Sequence, residues 1–127
     1  MLLHEYFDAI QSIIKGYSRA NLILASEMNI DFRTDKIGII QGTIDFVDES
    51  SLHFTEYLDL RYGIDKLTYS FHYQERNGKL IFRYDNARHK PALNCADHKH
   101  LSDGSAIPSQ QPEIKTVFSE IIDCLLQ

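Results

Sequence analysis

The stretch that decides the fold is Tyr69-Ser70-Phe71-His72-Tyr73-Gln74-Glu75-Arg76-Asn77-Gly78-Lys79-Leu80-Ile81-Phe82-Arg83-Tyr84-Asp85. Two alternating runs flank Asn77-Gly78, a dipeptide suited to a type I′ hairpin because both residues tolerate positive φ. A two-residue loop there sets Tyr73 opposite Phe82, His72 opposite Arg83, Phe71 opposite Tyr84 and Ser70 opposite Asp85. One side of the hairpin is then aromatic (Tyr69, Phe71, Tyr73, Phe82, Tyr84) and the other polar (Ser70, His72, Gln74, Arg83, Asp85). An aromatic stripe of this kind reads first as a core face, although base-stacking platforms have the same composition.

Working outward, three more strands precede the hairpin partner at 67–74. Residues 20–32 alternate, with Leu22, Leu24, Met28, Ile30 and Phe32 on one side. Ile40, Gly42, Ile44 and Phe46 alternate with Gln41, Thr43 and Asp45. After a turn at Asp48-Glu49-Ser50, Leu52, Phe54, Glu56, Leu58 and Leu60 alternate with His53, Thr55, Tyr57, Asp59 and Arg61. Period-two patterning of this kind marks half-buried strands. Helices close both ends. Leu3, Tyr6, Phe7, Ile10, Ile13, Ile14 and Tyr17 form one apolar face, with Gly16 near its end. Ile114, Val117, Phe118, Ile121, Ile122, Leu125 and Leu126 form another, with Pro112 suited to its first position. Residues 86–108 carry Pro91, Gly104 and Pro108 without a sustained period and read as a long loop. The expected fold is α+β: a two-layer sandwich of a four- to five-stranded antiparallel sheet with both helices on one face, and the other face at least partly open.

The 127 residues and 14.7 kDa suit one domain, and 43% apolar with 24% charged residues is ordinary for a globular chain. No apolar run reaches the ~20 residues of a membrane span. The early Glu5 and Asp8 argue against a signal peptide, so a cytoplasmic location is expected. Cys95 and Cys124 are read as free thiols. The net charge of −5 excludes non-specific coating of nucleic acid by the whole surface. That charge is uneven. Residues 76–100 hold six Lys or Arg against two acids, leaving +4 there and −9 elsewhere, and three of the six histidines fall in the same stretch.

This stretch contains Arg83, Asp85, Asn86, Arg88, His89, Lys90, His98, Lys99 and His100, with His72 paired to Arg83. Imidazoles exchange protons near neutral pH, and guanidinium and ammonium groups hold phosphate and stabilise developing negative charge. The pattern suits phosphodiester cleavage. A metal site is the second reading, because His89, Cys95, His98 and His100 are ligand types zinc accepts, in the spacing H-x5-C-x2-H-x-H. Glu56 stands out as a carboxylate on an apolar strand face, with Gly42 expected opposite it. It is either a general base or anchor, or a structural partner for a buried Arg or Tyr.

Four segments together resemble the TumE-like family of prokaryotic toxins from type II toxin–antitoxin modules. They are Asp48-Glu49-Ser50-Ser51-Leu52-His53-Phe54-Thr55-Glu56-Tyr57, Tyr69 to Gln74, Leu80-Ile81-Phe82-Arg83-Tyr84-Asp85-Asn86-Ala87, and His98-Lys99-His100. Positions matching the family pattern are Glu56, His72, Arg83, Asp85, Asn86, His89, His98 and His100. Glu49, Thr55, Arg88, Lys90, Ala96 and Asp97 depart from it. The resemblance implies a cognate helix-turn-helix antitoxin.

The leading expectation is a toxin that cleaves RNA without a metal or other cofactor. His98, His100 and His89 would act as acid and base, Arg83 and Lys99 would stabilise the phosphate, and Asp85 would orient a neighbour. His72 and Glu56 complete the candidate catalytic set, and Lys99, Asn86, Arg88 and Lys90 the substrate-binding set. The alternative is a non-enzymatic module that captures a protein or nucleic acid through the open sheet face and basic loop. A homodimer is compatible with either, and no membrane association is expected.

Overall fold

The computed structural model describes residues 1–88 and 96–127. Helix α1 (Leu3–Arg19) leads into strands β1 (Ile23–Phe32), β2 (Ile37–Phe46), β3 (Ser51–Asp59), β4 (Asp65–Gln74), β5 (Leu80–Asp85), β6 (His98–Leu101) and β7 (Ala106–Pro108), and helix α2 (Ile114–Leu125) closes the chain. The fold is α+β, as expected. Among the described residues the sheet has seven strands rather than four or five, all antiparallel and in sequence order β1 to β7. The two extra strands lie within the expected loop at 86–108. With four and three residues, β6 and β7 are too short to display a period.

Both helices cover one face. Tyr17 of α1 stacks on Phe118 of α2 with ring centroids 5.4 Å apart, and Phe118 meets Phe46 of β2 edge-on at 6.2 Å. The aromatic stripe is the core: Tyr69, Phe71, Tyr73, Phe82 and Tyr84 are all buried beneath the helices with Ile40, Ile44, Phe54 and Leu58. Each such side chain contributes about 1.5–3 kcal/mol through burial. Among the described residues no helix is long and apolar enough to cross a membrane.

The β4–β5 register is the expected one, with Tyr73 opposite Phe82 and His72 opposite Arg83. It is reached differently. Of Asn77 and Gly78, Gly78 alone has positive φ, at 87°, and Glu75 N–H bonds the Lys79 carbonyl at 2.8 Å. The loop is therefore one residue longer than a type I′ turn, and an irregularity between Tyr73 and Gln74 restores the pairing.

The β2–β3 turn differs too. Val47, Asp48 and Glu49 form the loop, Glu49 takes φ 70°, and Phe46 N–H bonds Ser50 O at 2.9 Å. This moves the register by two residues. Gly42 stands opposite Phe54, not Glu56, and Ile40 faces Glu56. A Cβ on Gly42 would run into the Phe54 ring, so the glycine admits that ring into the core.

Strand β1 starts at Ile23, after a turn in which Asn21 takes φ 61°. A bulge between Ile23 and Ala25 re-phases the alternation, so Ile23 packs on the core and Leu24 is 62% exposed. Helix α2 starts at Ile114 with Glu113 as its cap, so Pro112 lies outside it. Pro112 keeps a role, because its carbonyl accepts a hydrogen bond from Lys66 Nζ at 2.5 Å.

Candidate functional site

Strand pairing arranges the open face into two adjacent rows that run across the sheet. Directly opposed residues give Glu27, Thr43, His53, His72, Arg83 and His100 from β1 to β6. The neighbouring row is Asn29, Gln41, Thr55, Ser70, Asp85 and His98. The members of the rows from Glu27 and Asn29 to Arg83 line a concavity of about 510 Å³, bounded by Glu27, Asn29, Gln41, Thr43, His53, Thr55, Ser70, His72 and Arg83. A second hollow of about 230 Å³ adjoins it at Ser70, Arg83, Asp85 and Asn86.

The chemistry concentrates at the β5–β6 end. Asp85 is 4% exposed, and three cationic or titratable groups meet its carboxylate. Arg83 Nε donates to Oδ2 at 2.8 Å, His100 Nε2 lies 3.3 Å from both oxygens, and His98 Nδ1 lies 3.6 Å from Oδ1. Burial alone would raise the Asp85 pKa. The hydrogen bonds and charges of Arg83 and His100 outweigh it and hold the carboxyl below its ordinary value. Asp85 is thus an anion at neutral pH, aimed at two imidazoles whose rings stand 6.4 Å apart. Such an arrangement can fix an imidazole's orientation and tautomer.

Arg83 also donates from Nη1 to His72 Nδ1 at 3.2 Å. Arginine cannot accept, so Nδ1 carries the lone pair and the ring proton sits on Nε2, which donates to Gln74 Oε1 at 3.1 Å. Desolvation and then the Arg83 charge push the His72 pKa below its ordinary value. His72 is a neutral ring that braces Arg83. His53 follows in the same row, its ring 6.4 Å from that of His72 and its Nδ1 3.2 Å from Thr43 Oγ1.

The expected site residues divide by face. His72, Arg83, Asp85, His98 and His100 come together on the open face. Asn86 closes the end of β5 onto β4, accepting from Tyr69 N–H at 3.0 Å and donating to Leu67 O at 3.1 Å. Arg88 is exposed beyond it. Glu56 lies on the helix side, 0% exposed, where Tyr6 Oη donates to it at 2.9 and 3.1 Å and Lys66 Nζ approaches to 3.0 Å. Of its two expected roles the structural one fits, with Lys66 and Tyr6 as partners. Lys99 also faces the helices. It pairs with Glu120 at 2.7 Å over the rings of Phe82 and Tyr84, one strand position away from both histidines but on the other face.

His89, Lys90 and Cys95 lie outside the described residues. Of the expected zinc set, His98 and His100 are described, and both turn toward Asp85. Among the described residues no three His, Cys, Asp or Glu side chains are grouped to hold a metal ion. Cys124 is an exposed free thiol. The sequence reading missed the part of the face on β1 to β3, His53 and Thr43 among it. His53 and Thr43 extend the polar rows, and the signal was the alternation of β3 once its register to β4 is known.

Fold and face together define a small α+β protein with an imidazole-rich polar face, on an antiparallel sheet whose helices, among the described residues, cover the other side. The family model described as Toxin TumE matches residues 11–125, nearly the whole chain, and the chain belongs to that toxin family. Comparison with curated proteins and with solved structures gave no match.

Proposed function

We propose that this chain is the toxin of a toxin–antitoxin module and that its open face binds and cleaves RNA without a metal. Membership of the toxin family supports the role, and a toxin of this kind implies an antitoxin partner, here a small helix-turn-helix protein. The observation that carries the chemistry is Asp85, a buried carboxylate that touches Arg83 and faces two imidazoles at the end of a polar groove. His100, oriented through Nε2 by Asp85, exchanges a proton with the substrate 2′-hydroxyl or leaving oxygen, and His98, only 3% exposed, holds Asp85 from its buried side. Arg83 has more N–H donors than its bonds to Asp85 and His72 use, and these meet the phosphate. His53 and His72 offer ring faces along the groove for bases to stack on.

The test is incubation of purified protein with RNA in excess chelator. Fragments are expected from the native chain and from Lys99→Ala, and not from folded His100→Ala or Asp85→Asn. Cleavage that vanishes with chelator and returns with zinc or manganese would replace this chemistry with a metal-dependent one. Binding of RNA or of a partner protein without cleavage under any condition would favour a capture module on the same face.

A further inference from the structure

The sheet is open, and its two edges are unlike. At one edge β7 has three residues and ends in Pro108. At the other, β1 offers ten residues without proline, lysine or arginine, Ile23-Leu24-Ala25-Ser26-Glu27-Met28-Asn29-Ile30-Asp31-Phe32. Among the described residues no strand pairs with its outer side. Short length, proline, positive charge and bulges are the usual protections of a sheet edge against pairing; β1 lacks the first three, and its bulge is confined to its first residues, Ile23 to Ala25. It also carries Leu24 and Phe32, 62% and 51% exposed, near its two ends.

We propose that β1 pairs antiparallel with β1 of a second copy of this chain, about a two-fold axis through Met28, to give a continuous sheet. The strand is self-complementary in this register and in no neighbouring one. Centred on Met28, Leu24 lies opposite Phe32 of the second copy, Glu27 opposite Asn29, Ala25 opposite Asp31 and Ser26 opposite Ile30. The two exposed apolar side chains at the strand ends thereby meet, and each carboxylate faces a neutral residue. Centring on Glu27 sets Glu27 against itself, and centring on Asn29 sets Glu27 against Asp31, both like-charge pairs across strands. Registers offset by one residue bring helix-side residues of one copy beside open-face residues of the other. A hollow of about 130 Å³ lies beside the axis on the helix side, lined by Gln11, Ile14, Lys15, Ser26 and Met28, and it receives the Met28 side chain of the second copy. The pairing also joins the row ending in Glu27 of one copy to the row ending in Asn29 of the other, so that the polar face runs unbroken across both copies.

The experiment combines mass measurement with cross-linking. In solution the native chain is expected to run as a dimer by light scattering. Leu24→Lys/Phe32→Lys, which alters exposed positions, is expected to be monomeric with an unchanged circular dichroism spectrum. In a Cys95→Ser/Cys124→Ser background, Met28→Cys should form an intermolecular disulfide under mild oxidation, because symmetry-related residues of an antiparallel pair sit roughly 4.5–5.5 Å apart. Ser119→Cys on α2 should not. A monomeric native chain, a dimer that survives the double lysine variant, or cross-linking at Ser119→Cys as efficient as at Met28→Cys would each overturn the proposal. Protection of β1 from hydrogen exchange only when the antitoxin is present would assign the edge to that partner instead.

Discussion

His72 and Arg83 face each other across β4 and β5, with the guanidinium Nη1 3.2 Å from the imidazole Nδ1. A proton on that nitrogen would break the hydrogen bond and set two cations side by side. Desolvation first and this repulsion second set the His72 midpoint below the roughly 6.5 of an unperturbed histidine. Because the folded value is depressed, the unfolded chain binds more protons as pH falls through 6.5, and this residue withdraws stability on acidification. Arg83→Met should move the His72 midpoint upward in a ring-proton NMR titration. An unchanged midpoint would mean that desolvation alone sets it.

Asp85 acts with the same pH slope through a different proton. Its folded pKa is depressed, so its stabilisation is complete above the ordinary aspartate value of about 3.9 and is lost as pH falls through the folded one. Asp85→Asn should remove that part of the acid sensitivity. It should cost about 1–3 kcal/mol at neutral pH, since Arg83 loses a charged acceptor. RNA cleavage should fall roughly 10²–10⁴-fold, the range of a displaced general acid or base. Urea melts between pH 3 and 7 and a cleavage assay on the same preparation check both halves.

On the helix side, Glu56 and Lys66 form a buried pair at 3.0 Å. Lys66→Met leaves a carboxylate buried with Tyr6 as its remaining partner, and about 3–5 kcal/mol of destabilisation is expected. Glu56→Gln/Lys66→Met should recover much of that loss in chemical denaturation. The double variant should leave RNA binding unchanged, because neither residue reaches the open face.

Gly42→Ala tests the close approach of β2 and the Phe54 ring. The added methyl group has no room, and about 1–3 kcal/mol of destabilisation is expected from overpacking. Phe54→Leu in the same chain should relieve part of it, and the coupling between the two changes is read from a double-mutant cycle.

Much of this architecture was legible because hydrophobic period and parity are local. The core stripe, the polar row on β4 and β5, and the two terminal helices all follow from spacing alone. What escaped depended on single-residue insertions. The three-residue turn at Val47, Asp48 and Glu49 moved Glu56 away from Gly42, and the bulge at Leu24 put Ile23 in Leu24's place on the core while Met28 and Ile30 kept theirs. Strand parity also decides the site. His98 and His100 share the face of Asp85, whereas Lys99 between them turns to Glu120. Reading those residues as one basic loop hid that division, since a loop has no parity and a four-residue strand does. The partner of Glu56 escaped for a related reason: Lys66 reaches the buried face through a register shift between Tyr57 and Leu58.

Every strand of the sheet is hydrogen-bonded to its neighbours in sequence. Such a sheet can be laid down in the order in which it is synthesised, from the N-terminal edge onward. A translation product stopped after β5 would have neither imidazole that β6 brings to the Asp85 carboxylate, and would lack Val117, Phe118 and Ile121 of α2, which complete the core. The Asp85 cluster is therefore completed late in synthesis, and an early stop removes its histidines and the last part of the core together.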